Sequence, residues 1–272
     1  MEALAQLASW SLLAFAILLF VSQVAARELG YWLGERRRAL HGAAEAEGVG
    51  LIVGGMIGLL AFVLALTLSF GSTRFDERRH GTLAEANAIS TAWLRAGAVG
   101  HAKSVEIAKL LEDYVRVRRS YVSAPRNSPT LQQFNQQTSK LQAEIWDRMT
   151  AITRERTDPV VVSLMSALNE VFDMATSARF AHDIRFPESL FWLLIGMAHI
   201  STGALGFQLG LKGQKSHIIA TLLTAVWTAV IVVILDLSAP RLGIIRTSVE
   251  VYDWTLEDMN KGIDARGGAE TK

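Results

Sequence analysis

Apolar residues gather into four long windows along the chain, separated by segments of quite different character. The windows run from about Leu7 to Ala26, Val49 to Phe70, Ser189 to Leu209 and Ile218 to Leu237. None contains lysine or arginine, and the only acid is Asp236 at the end of the fourth. A helix crosses roughly 30 Å of hydrocarbon with about 20 apolar residues. Lipid offers no partner to a free backbone amide, so each window is expected as a transmembrane helix. The first lacks a basic segment before Trp10 and ends in Ser22-Gln23-Val24-Ala25-Ala26, a poor small-x-small cleavage site. It is therefore expected to remain as an anchor.

A polar insert from Gly71 to Glu188 separates the second and third windows, and its periodicity is helical throughout. Leu83, Ala86, Ile89, Trp93 and Ala96 share one stripe, continued by Ile107, Leu110, Leu111 and Tyr114. After the break between Pro125 and Pro129, Leu131, Phe134, Leu141, Ile145, Met149 and Ile152 mark a second. Pro159 opens a third, with Val161, Leu164, Met165, Leu168, Val171, Phe172 and Ala175 at i, i+3, i+4, i+7 spacing. Three amphipathic helices of this kind bury their stripes against each other or against a neighbouring subunit. With no alternating strand pattern, the fold class is all-α. Residues 1–70 hold two spans and a basic loop, 71–188 the helical extramembrane domain, 189–237 two further spans, and 238–272 a polar C-terminal segment. The tail beyond Asp264 is expected to fray.

Charge adds orientation. Arg27 and Arg36-Arg37-Arg38 follow the first span, and Lys212 and Lys215 lie in the other short loop on that side. The positive-inside rule weights short loops, which places these two in the cytoplasm and both termini outside. Arg74, Arg78, Arg79, Arg185, Arg241 and Arg246 crowd the opposite side, so the counts nearly balance. A net charge of +1 leaves no wholesale phosphate neutralisation and hence no nucleic-acid partner. The absence of cysteine excludes disulfides, thiolate metal sites and cysteine nucleophiles.

The second span carries the most information. Gly50, Gly54 and Gly58, continued by Ala61 and Ala65, form a small-residue stripe that lets helix backbones approach closely. Ile52, Met56, Leu59, Val63, Leu66 and Phe70 occupy the other face. That large face either meets lipid or lines an oligomeric pore, where a ring of apolar groups makes a dewetting constriction. Arg74, Asp76, Glu77 and Arg78 follow at the membrane exit, with Glu85 two turns on. They either anchor the helix through ion pairs or collar a pore and concentrate anions.

The run Leu60-Ala61-Phe62, then Arg74-Phe75-Asp76-Glu77-Arg78-Arg79 and Glu85-Ala86-Asn87-Ala88-Ile89, resembles the bestrophin-like family of bacterial membrane proteins. Leu235-Asp236-Leu237 with Pro240 and Gly243 fits that family's end-of-span signature, and the resemblance covers about Gly48 to Ser248. A more distant similarity reaches the bestrophin anion channels, where an Arg-Trp-Trp-Glu run stands in the place of Arg74-Phe75-Asp76-Glu77. The resemblance implies a pentamer of four-span subunits with a helical domain between spans two and three. It also implies a hydrophobic neck, which falls on Leu66 and Phe62 with its third position at Gly58, where a glycine cannot constrict; Leu59 is a further candidate. The acidic calcium-binding cluster of the animal proteins has no counterpart after Asp236.

Other polar residues each carry two readings. His199 lies near the middle of the third span, where an ionisable side chain faces a bundle interior or cavity. It is either a neutral imidazole bonded to a neighbouring helix, with Thr221, Thr224 and Thr228 as candidate partners, or a proton relay or pH-sensitive pore residue. Asp236 is expected to pair with Arg241 or Arg246, and Pro240 to stop its helix. Tyr114-Val115-Arg116-Val117-Arg118-Arg119 is a basic run open to lipid headgroups, a solvated face or an anion vestibule. His41, His80, His101, His182, His199 and His217 include no pair at i, i+3 or i+4, so no helical metal site is signalled. No phosphate loop or catalytic constellation is present, and no cofactor is implied.

The expectation is a multi-pass protein of a bacterial inner membrane that works as an oligomeric, pentameric channel for small anions. Its rival is a membrane-anchored helical scaffold or sensor that conducts nothing.

Overall fold

The computed structural model describes residues 12–41, 46–125, 129–183, 187–214, 216–238 and 244–270. The expectations for Lys215, Arg185, Pro240, Arg241 and Gly243 lie outside them. Among the described residues the chain is helical and forms no strand. In order the helices are α1 (Leu12–His41), α2 (Ala46–Val99), α3 (Ala102–Ser123), α4 (Pro129–Glu155), α5 (Pro159–Asp183), α6 (Glu188–Lys212), α7 (His217–Ser238) and α8 (Glu250–Glu270). Stretches on α1, on α2, between Pro159 and Lys212, and on α7 are long and apolar enough to cross a membrane. The chain divides into two compact units, Met1–Arg74 with Arg185–Ile245, and Phe75–Ile184 with Arg246–Lys272.

α2 is longer than a span requires. The sequence contains no proline between Ala46 and Val99, and isolated glycines such as Gly71 and Gly81 do not stop a helix. It therefore continues through the charged exit for 54 residues, roughly 80 Å at about 1.5 Å per residue. Gly100 ends it with φ of +66°, a left-handed conformation that suits glycine. The next helix starts at once. His101 accepts the Lys103 amide through Nδ1 at 3.1 Å while its own amide donates to Ser104 Oγ at 3.3 Å, a reciprocal cap. The stripe read as one amphipathic helix from Leu83 to Tyr114 is thus split between α2 and α3.

In the first unit, α1 and α6 run parallel and meet through glycine. A Cβ on Gly30 would collide with the Gly203 carbonyl, on Gly34 with that of Phe207, on Gly206 with that of Arg27, and on Gly210 with that of Tyr31. Four positions without side chains bring the two backbones into direct contact. α7 packs on the same pair, and Phe15, Leu19, Leu60, Leu64, Leu194, Trp227, Ile231 and Ile234 fill the core.

The second unit has its own core. Ile89 and Trp93 of α2, Ile107 and Leu111 of α3, Ile145 and Met149 of α4, and Leu164 and Leu168 of α5 are buried together. Asp158 opens α5 by accepting the amides of Val160 and Val161 at 2.9 and 3.0 Å, with Pro159 at the first helical position. The Val161 amide, then Arg156, hold the Asp158 carboxyl below its ordinary range.

α8 completes this core, where the sequence suggests only a polar segment. Tyr252 and Met259 are buried, and a Cβ on Gly262 would meet the Trp93 ring at 2.8 Å. The helix continues past Asp264 to Glu270. Tyr252 donates to Glu85 Oε2 at 2.8 Å, and Glu85 also receives the Arg118 guanidinium through both oxygens. Arg118 is fully buried and stacks on Tyr121 at 4.7 Å. The basic run on α3 is therefore not one surface: Arg118 is internal, Arg119 grips Asp253 of α8, and Arg116 pairs with Asp113. Burial works against charge on Arg118, but the Glu85 carboxylate outweighs it and raises the Arg118 pKa. Burial, and then the charge of Glu85, push the Tyr252 hydroxyl well above the ordinary tyrosine value.

Candidate functional site

The second span has three faces, since residues advance about 100° each around a helix. Leu60, Leu64 and Thr67 form one stripe, buried against the first unit's other helices. About 120° away run Gly54, Gly58, Ala61 and Ala65, all exposed. On the third side stand Leu59, Phe62, Leu66 and Phe70, with Phe62 61% and Leu66 46% exposed. Within one chain, then, the large apolar face and the small-residue face are both open.

A Cβ on Gly54 or Gly58 would meet nothing within 4 Å, and one on Gly50 only the flexible end of Gln208. Close helix packing inside the chain is instead made by Gly30 and Gly34 against Gly206 and Gly210. The sequence signal was the same in both places, small residues four apart on one face. The motif reports that a backbone can be approached, not which helix approaches it.

At the exit, Arg74 and Asp76 are exposed, whereas Arg78 is only 3% exposed. Arg78, expected as an anion-attracting collar residue, is thus enclosed within the single chain. Its position continues the stripe of Leu60, Leu64, Thr67 and Gly71, which turns the side chain inward. Glu85, two turns further on, is held by Arg118 of α3.

His199 is tied to α1 rather than to the α7 threonines. Its Nδ1 lies 2.8 Å from the Ile195 carbonyl one turn back, and its Nε2 lies 2.9 Å from Ser22 Oγ. The threonines face α1 elsewhere: Gln23 donates to Thr228 at 3.2 Å and Arg27 to Thr221 at 2.7 Å, while Thr224 bonds back to Ala220. Arg27 is buried and also pairs with Glu28. A polar ladder on α1, from Ser22 through Gln23 to Arg27, therefore holds both α6 and α7. Asp236 accepts the backbone amides of Ile244 and Ile245 at 3.2 and 3.3 Å, so its carboxylate fastens the chain leaving α7.

The model of a bestrophin-like domain matches residues 12–252. Crystal structures of a bacterial bestrophin homologue from Klebsiella pneumoniae share the fold. One superposes with a TM-score of 0.68 at 13% identity, covering 92% of this chain and 98% of that one. Another gives 0.62 at 14% identity over 90% and 96%. A structure described only as a membrane protein gives 0.64 at 13% identity over 87% and 98%. No curated protein matches the sequence.

Proposed function

The chain belongs to the bestrophin-like family, and we propose that copies of it assemble, as a pentamer, into a channel for small anions in a bacterial inner membrane. One observation carries the reading: α2 buries a single face within its chain and leaves two apolar faces of unlike size uncovered. In a ring, the face of Gly54 and Gly58 accommodates a helix of the adjacent copy. The face of Leu59, Phe62 and Leu66 then turns to the axis and forms a constriction whose apolar wall repels water until it widens. Arg74 is the exposed cation nearest the end of that face and concentrates anions there.

Liposome flux or planar-bilayer current from purified protein is the test. The double variant Phe62→Ala with Leu66→Ala should pass more current than the parent, because the constriction becomes wider and wetter. Arg74→Glu should move the reversal potential towards cations. Protein that gives no flux above empty liposomes, over several anions and pH values, would leave the non-conducting scaffold or sensor in its place.

A further inference from the structure

The contacts of His199 do not balance in protons. The Ile195 carbonyl can only accept, so Nδ1 carries a hydrogen. The Ser22 hydroxyl lies 2.9 Å from His199 Nε2 and 2.9 Å from the Leu19 carbonyl. A neutral imidazole leaves Nε2 as an acceptor, and the single Ser22 proton cannot serve both Nε2 and Leu19. With a second ring proton, Nε2 donates to Ser22 Oγ, the hydroxyl donates to Leu19, and all three contacts are made. The imidazolium is the form that satisfies the arrangement in full.

We propose that His199 and Ser22 form a proton-binding site inside the membrane bundle, whose occupancy sets the direction of the hydrogen bonds joining α6 to α1. Loading the site turns the Nε2 contact from an acceptor's into a charge-assisted donor's, a stronger bond between the same two helices. It stands on the face that continues into the glycine contact, where Gly203 and Gly206 follow on α6 and Gly30 on α1.

Few other charges act at this depth. α6 carries Glu188 and Lys212 only at its ends, and α7 has His217 at its start and Asp236 near its finish. α2 has none between Gly48 and Thr73. On α1 the nearest are Arg27, held by Thr221 and Glu28, and Glu28 itself. The bound proton thus has no resident counter-charge beside it. It is held by the Ile195 carbonyl and the Ser22 oxygen. The proposal needs no conduction, so its outcome is separate from that of the flux measurement.

Nitrogen-15 and carbon-13 magnetic resonance of the full chain in lipid bilayers tests it, with His199→Gln used to assign the ring signals. At alkaline pH the neutral ring should be the tautomer with hydrogen on Nδ1. On acidification Nε2 should gain its proton, and the Leu19 carbonyl shift should move with the same midpoint. Ser22→Ala should abolish the Leu19 response while keeping the Nδ1 tautomer, and Ser22→Thr should restore it. A neutral ring protonated on Nε2, a ring that gains no proton on acidification of the folded protein, or a Leu19 carbonyl indifferent to that protonation would each overturn the proposal.

Discussion

Glu85 and Arg118 show how much one buried pair can hold. Neither has solvent to retreat to; Glu85 also accepts from Tyr252, and the Arg118 guanidinium lies over the Tyr121 ring. Removing one partner leaves the other charged and buried, which generally costs about 3–5 kcal/mol, whereas replacing both by apolar groups is often close to neutral. Arg118→Met is therefore expected to destabilise the helical insert by about that amount, and Arg118→Met with Glu85→Leu to recover most of it. Chemical denaturation in mild detergent, followed by circular dichroism, measures both. Equal losses in the single and double variants would deny the pair this role. Nothing in the sequence marked Arg118 out from Arg116 and Arg119. All three read as basic positions on a helix, and only the arrival of α8 separates them.

At the scale of elements, two glycine stripes with the same spacing have different surroundings, and substitutions should tell them apart. Gly206→Leu forces a side chain into the Arg27 carbonyl and should part α1 from α6, with a sharply lower thermal midpoint and little folded protein. Gly54→Leu faces open space in the chain. It should leave the fold intact and, if that face receives an adjacent copy, release smaller assemblies on size-exclusion chromatography. The four apolar windows and the helical insert were legible because hydrophobic length and 3.6-residue periodicity depend on local sequence alone. The third insert helix was legible from Pro159 as well. The continuation of α2 past Phe70 was hidden, since a change from apolar to charged residues alters a helix's solvent without ending it. The docking of α8 was hidden for a related reason: its few apolar residues, Tyr252, Leu256 and Met259, make a short stripe that gains meaning only beside Trp93 and Arg118. Of the residues singled out around the exit, Arg74 and Arg78 look alike in the sequence. Their helical phase decides that one is exposed and the other enclosed.

For the molecule as a whole, the fold follows from family membership and superposition, while the number of copies follows from neither. Native mass spectrometry of the purified protein should report five chains. A monomer or dimer would remove the symmetric axis on which conduction depends. The parallel contact of α1 with α6 has a bearing on biogenesis. About 170 residues separate Gly34 from Gly206, so at translation rates of about 5–20 residues per second the first helix waits roughly 10 to 30 s for its mate. During that interval its bare backbone notch is open to any other small-residue helix in the bilayer. Lesions in this contact should therefore surface first as poor yield and early degradation, before any defect in the mature protein can be seen.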